Sequence, residues 1–236
     1  MQRRTHPTEL AKIMNSVRQK EIFLAGEGNR YFERNQSLYE YSVTEHTPPA
    51  IQFYSSYIRP GHKVLEIGCC NGVNLFRLQS VVPCECFGID PSEEAIMDGR
   101  QKFKSLSLSV GTSDDLQFTA QEFDFVLFGF CLYLVDRELL PQTIAETDRV
   151  LKNKGFLGIT DFDAAVPAMR PYKHKPGIFS YKMDYSRLFT AYPQYSLASK
   201  ISFSHSGDTF HSDPQERLAA TVLYKDTANA YVSVRA

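Results

Sequence analysis

Two hydrophobic rhythms alternate along the middle of this chain. Short apolar runs near 63–67, 84–89, 106–110, 123–129 and 154–161 predict strands, and the segments near 72–80, 92–104 and 137–151 carry apolar residues at helical spacing. Alternation of this kind implies a parallel sheet covered by helices on both faces. Ahead of it, residues 8–25 and 46–58 read as helices, with Pro48-Pro49 opening the second and Pro60-Gly61 closing the approach to the first strand. Behind it, 197–206, 217–225 and 229–235 are strand-like and hairpin-prone.

The first strand runs straight into VLEIGCCNG, Val64 to Gly72. Gly68 and Gly72 bound a turn where side chains would block a ligand's approach, and the helix that follows points its first amides at whatever lies over the turn. Asp90 ends the second strand, twenty-two residues after Gly68, where a carboxylate accepts hydrogen bonds from a ribose diol. Glu66, two residues before Gly68, separates two cofactor classes. It would repel a dinucleotide pyrophosphate but attract the ammonium of a bound methionine. Cys70 and Leu75 also stand where a dinucleotide motif has its second and third glycines.

These residues resemble the class I, seven-stranded, Rossmann-like S-adenosylmethionine-dependent methyltransferases. Four motifs carry the resemblance: EIGCCNG, with Glu66, Gly68, Cys69, Cys70, Asn71 and Gly72; GIDPS, with Asp90 and Pro91; GTSDDLQF, Gly111 to Phe118; and FDFVLFGFCLYLVD, Phe123 to Asp136. The resemblance implies S-adenosylmethionine as cofactor and S-adenosylhomocysteine as product. It puts the ribose on Asp90, the adenine against Thr112, Ser113 and Asp114, and the sulfonium and methyl acceptor beside Phe128, Gly129 and Phe130. The fold it implies is α/β, a mostly parallel sheet with an antiparallel C-terminal edge. The expected organisation is a helical cap, 1–59, and a cofactor-binding domain, 60–236, with a substrate-lid insertion at about 161–190.

Two segments stand outside those motifs. GEGNRYFERN, Gly26 to Asn35, partly resembles the N-terminal pattern of methyltransferases found with bacterial nonulosonic, pseudaminic-type sugar biosynthesis. That resemblance implies that Tyr31, Arg34 and Asn35 close over the methionine end of the cofactor, Arg34 as a two-pronged donor to its carboxylate; the alternative is a capped turn with a solvated arginine. Asp161 to Tyr185 is rich in Tyr, His, Lys and Asp and punctuated by prolines, too irregular for a helix. It leaves the carboxyl edge of the sheet, so Tyr172, His174, Tyr181 and Lys182 are expected at the acceptor. Methyl transfer to a sulfonium's in-line partner needs alignment and a dry pocket, and a base only for a hydroxyl or protonated amine. His174 is the leading candidate base, with Asp161, Asp163 and Tyr133 as alternatives.

Composition narrows the partners. With 26 basic and 27 acidic residues and a net charge of -1, the chain offers no basic surface for nucleic acid. No apolar run is long enough to cross a bilayer and the N-terminus is unlike a secretory signal, so a cytoplasmic monomer or homodimer is expected. The five cysteines fit reduced thiols. Adjacent Cys69-Cys70 and the strand pair Cys84 and Cys86 have poor spacing for zinc, and no metal is expected. The leading function is therefore methylation of a small molecule, with a sugar or nucleotide-sugar the class the N-terminal pattern implies. A protein or RNA methyltransferase, or a non-catalytic methyltransferase-like partner, are the alternatives.

Overall fold

A computed structural model describes residues 18–40, 47–205 and 209–234. Its centre is a seven-stranded sheet in the order β3-β2-β1-β4-β5-β9-β8. Strands β1 (Lys63–Ile67), β2 (Glu85–Asp90), β3 (Ser107–Val110), β4 (Phe123–Gly129) and β5 (Leu151–Phe162) run parallel. β8 (Tyr195–Phe203) and β9 (Leu218–Lys225) form the antiparallel edge, β9 inserted between β5 and β8. The sheet order reverses at β1 and β4, so the loops leaving their carboxyl ends diverge and open a crevice there.

Period-two alternation sends successive side chains of each central strand into different cores. Leu65, Ile67, Val126 and Phe128 join one cluster, which α6 (Leu140–Val150) and α7 (Ser186–Thr190) cover. Val64, Phe125 and Leu127 join the other, beneath α3 (Pro49–Ser55), α4 (Val73–Val81) and α5 (Glu93–Lys102). Ser92 starts α5 by accepting from the Ala95 amide, and Pro48-Pro49 starts α3 as the sequence predicts.

Three regions depart from the sequence-based expectation. The N-terminal helix is described only from residue 18, but it runs further than 25. α1 (Gln19–Ile22) passes through a wide turn, Phe23–Glu27, where Gly26 at φ 131° bends the chain into α2 (Gly28–Arg34). The segment 161–190 is ordered, with a hairpin of β6 (Ala168–Pro171) and β7 (Phe179–Lys182) followed by α7. No strand forms over 229–234, because both edges of β9 are already paired; Asp226 turns the chain away by accepting from the Ala228 and Asn229 amides, leaving Tyr231, Val232 and Val234 exposed.

Candidate active site

The crevice is a cavity of about 870 Å³ including its mouth, inside the range of small-molecule sites. Its floor is the turn after β1. Gly68, at φ 75°, and Cys70, at φ 52°, line it, and a β-carbon added to Gly68 would lie 2.7 Å from Cys131 Cβ and 2.8 Å from its sulfur. Three residues of the motif work from below. Asn71, fully buried, donates to Tyr39 O and Asp98 Oδ2 and accepts from the Val73 amide, so it fixes the start of α4. Cys69 packs under β2, its sulfur 2.6 Å from where a β-carbon on Gly88 would fall. Gly72 packs on Leu106 and Leu108.

Asp90 sits on the wall with its carboxylate already oriented. The Cys70 amide donates to Oδ2 and the Ser92 amide to Oδ1, each at 2.9 Å, which leaves further lone pairs for a ribose. Burial nevertheless pushes its pKa up to about 6. Glu66 lies deeper, 1% exposed, against Gly129. Burial pushes it up to about 8, with the charge of Asp90 adding to the rise, and its Oε2 has no hydrogen-bond partner.

Pro91, Thr112, Ser113 and Asp114 line the adjoining wall, and Gly129 and Phe130 the other side of the mouth. Phe128 does not reach it: alternation turns its ring into the core, against Phe189. Lys20, Phe23, Gly28 and Tyr31 of the N-terminal segment, with Tyr39, supply a roof. Lys20 Nζ pairs with Asp114 Oδ2 at 2.7 Å, and this hydrogen bond, with one from Thr112, outweighs burial and holds the Asp114 carboxyl below its ordinary value. Asn29 accepts from Ser92 Oγ, fastening α2 to the start of α5. Lys20, Phe23, Tyr39, Cys131, Leu134, Val135, Asp136 and Leu139 are cavity residues that sequence reasoning did not assign. Five of these eight, Cys131 to Leu139, lie within or just after the fourth motif, and the three roof residues Lys20, Phe23 and Tyr39 carry no signal of their own.

The remaining sequence-predicted residues fall outside the cavity wall. Arg34 donates to Glu27 Oε1 at 2.7 Å and to Tyr172 Oη at 3.2 Å, so its guanidinium is engaged by the roof and the hairpin. His174 is exposed on the hairpin turn and packs edge-on against Tyr172; nothing brings its ring to the cavity, and the expectation of a base there is corrected. Tyr181 lies under the Arg137 guanidinium, and Lys182 is tied to Glu216 and to the Gln215 carbonyl. Tyr133 is buried between Phe130 and Phe162, its hydroxyl near enough to Tyr31, Tyr172, Asp161 and Cys131 that their charges, after burial, hold its pKa far above 10. Asp161 accepts from the Phe162 and Tyr133 amides, which spends it on the turn after β5.

A methyltransferase domain model matches residues 64–155, spanning the Gly68 turn, Asp90 and the mouth of β4. This stretch of the chain is a methyltransferase domain, and it contains the motifs that resemble the class I S-adenosylmethionine-dependent type. Among curated proteins, the chain is 33% identical over 107 residues to a demethylmenaquinone methyltransferase of Staphylococcus carnosus (strain TM300), and the match spans less than half of that relative's length, 43% of each chain. Among solved structures it resembles the 1,6-didemethyltoxoflavin-N1-methyltransferase of Burkholderia thailandensis, which holds 1,6-didemethyltoxoflavin and S-adenosylhomocysteine (TM-score 0.63, 12% identity, 96% and 93% of the two chains). It also resembles a putative methyltransferase from a complex with the Haloferax volcanii Trm112 activator (TM-score 0.61, 17% identity, 90% and 100%). At such identities the two structures speak for the fold.

The chemistry of S-adenosylmethionine fits the residues of this site. The orphan oxygen of Glu66 calls for a proton donor such as the methionine ammonium, and Asp90 offers oriented acceptors to a diol. A pH dependence follows. Empty, Glu66 is largely protonated at pH 7, and Asp90 below about pH 6. An ammonium beside Glu66 and hydroxyls on Asp90 favour the ionised forms, so binding releases protons and must strengthen as pH rises toward 8. Calorimetry of S-adenosylhomocysteine binding at pH 7 in buffers of different ionisation enthalpy is expected to show net release approaching one proton. Proton uptake would contradict it.

Proposed function

We propose that this methyltransferase transfers the methyl group of S-adenosylmethionine to a small-molecule acceptor held at the mouth of β4, with a sugar or nucleotide-sugar as the leading class. The roof carries this reading: Phe23, Gly28, Tyr31 and Tyr39 line a cavity of about 870 Å³, a volume in the range of small-molecule sites. The pseudaminic-type pattern of residues 26–35, which forms part of that roof, supports the sugar class.

The cofactor supplies an electrophilic methyl on a sulfonium. The protein's own contribution is alignment and exclusion of water. Phe130 and Cys131 wall the reaction side, and burial, with the charges of Asp161, Asp90 and Glu66 behind it, raises the Cys131 thiol far above its ordinary pKa, so that it stays protonated and does not compete for the methyl. Neither Tyr133, packed behind Phe130, nor Tyr172, on the hairpin beside Phe23, lines the cavity, and both are proposed to reach the acceptor when it binds. Neither is ionised near neutral pH, so each acts as a neutral hydrogen-bonding group and the acceptor brings its own nucleophile.

The test is transfer of radiolabelled methyl from S-adenosylmethionine to a panel of nucleotide-sugars, nonulosonic acids and a demethylmenaquinol analogue, the last because of the Staphylococcus carnosus relative. Label on a sugar supports the reading. Label on the quinol alone replaces the acceptor class, and label only on protein or RNA overturns the small-molecule assignment. With the acceptor in hand, Tyr133→Phe is expected to lower kcat about 10- to 100-fold while leaving S-adenosylhomocysteine affinity within a few-fold, and His174→Ala to leave both unchanged.

A further inference from the structure

One buried amide joins three parts of the molecule. Gln19, 4% exposed at the start of α1, donates from Nε2 to Leu134 O at 2.7 Å, and its Oε1 accepts from the Phe179 amide at 2.6 Å. Leu134 belongs to the cavity wall after β4, and Phe179 opens β7 of the hairpin. The same helix start is clasped from outside. Asp136, also on the cavity wall, accepts from the backbone amides of Gln19 (2.8 Å) and Lys20 (2.9 Å), satisfying donors that a helix's first turn otherwise leaves free. The next side chain, Lys20, holds Asp114 across the cavity. The helix that carries these bonds continues into the roof residues Phe23, Gly28 and Tyr31, so a movement at its start shifts the roof over the cavity.

We propose that Gln19 is a positioning residue that latches the cofactor roof to the β4 loop and to the β6–β7 hairpin, so that cofactor binding sets the hairpin for the acceptor. A side-chain amide suits this role because it donates and accepts at once, and each of its partners is a backbone group that needs pairing when buried. Roof closure then orders both binding sites together, the cofactor first. The proposal rests on the cavity being the cofactor site.

Two measurements on the full chain test it, with S-adenosylhomocysteine as the probe. In surface plasmon resonance, Gln19→Ala is expected to raise both the association and the dissociation rate at least tenfold, because a loosened roof opens the path in each direction. A faster dissociation with unchanged association would mark a lost contact and overturn the gating role. In hydrogen–deuterium exchange, the ligand is expected to slow exchange at both 68–72 and 168–182 of the parent, and only at 68–72 of Gln19→Ala. Gln19→Glu guards against a folding defect: it keeps the acceptor for the Phe179 amide and loses the donor to Leu134 O. It should therefore retain the hairpin's resting protection while losing its response to ligand. A hairpin that responds equally in parent and variants, or in none of them, overturns the proposal. Failure of the parent to bind the probe would instead overturn the cofactor assignment beneath it.

Discussion

Gly68→Val is expected to abolish S-adenosylhomocysteine binding and to lower the melting temperature of a protein that still folds. The sequence motivates this substitution by the space a methionine moiety needs, and the structure shows a nearer obstacle. A β-carbon at residue 68 meets Cys131, at 2.7 Å from Cβ and 2.8 Å from Sγ, on a backbone at φ 75°. The left-handed conformation costs a branched residue about 1–3 kcal/mol, and overpacking roughly another 1–3 kcal/mol. Cys131 would be driven into the cavity, which is why binding fails along with stability. Combining Gly68→Ala with Cys131→Gly separates the two effects: the overlap is relieved and the backbone strain stays, so the double variant should recover part of the melting temperature lost by Gly68→Ala alone. No recovery, or normal binding by a folded Gly68→Val, would show that the turn is not the cofactor's floor.

Asp90→Ala is expected to weaken S-adenosylhomocysteine binding by about 10- to 150-fold, the equivalent of about 1.5–3 kcal/mol for lost hydrogen bonds to a charged group. A second loss comes from the protein itself, because the Cys70 and Ser92 amides that now donate to the carboxylate would be left without their acceptor and the turn over the cavity would loosen. Asp90→Asn distinguishes the two. It keeps an acceptor for one amide but offers an NH2 group to the other, and it cannot ionise, so the dependence of affinity on pH around 6 should vanish with it. An affinity unchanged in both variants would remove the ribose from this residue.

Much of the fold was legible because the central strands are buried on alternate faces of a covered sheet. Apolar stretches such as Val64-Leu65 with Ile67, and Phe125 to Phe128, have no other way to hide. The parts of the site that lie on those strands' ends were legible for the same reason: Gly68, Cys70 and Asp90 are fixed by where β1 and β2 stop. Alternation also explains an error within the same motif. Phe128 and Gly129 are adjacent, so only one of them can face the crevice.

The roof and the hairpin were illegible because their positions depend on partners more than a hundred residues away. Gln19 reads as an ordinary polar residue on a helix until Leu134 and Phe179 are brought to it, and Asp136 as a loop acid until it caps that helix. Residues rich in functional groups, such as His174 and Lys182, drew attention by their chemistry. The structure spends that chemistry on a hairpin turn in one case and on Glu216 in the other. The strand expected at 229–235 is absent over its described residues 229–234, since β5 and β8 have already taken both edges of β9.

The most direct test of the account is calorimetric titration of the unmodified protein with S-adenosylhomocysteine and, separately, with NADH. A single saturable S-adenosylhomocysteine site that tightens as pH rises toward 8, with no response to NADH, is the predicted result. Tight NADH binding with no response to S-adenosylhomocysteine would contradict it.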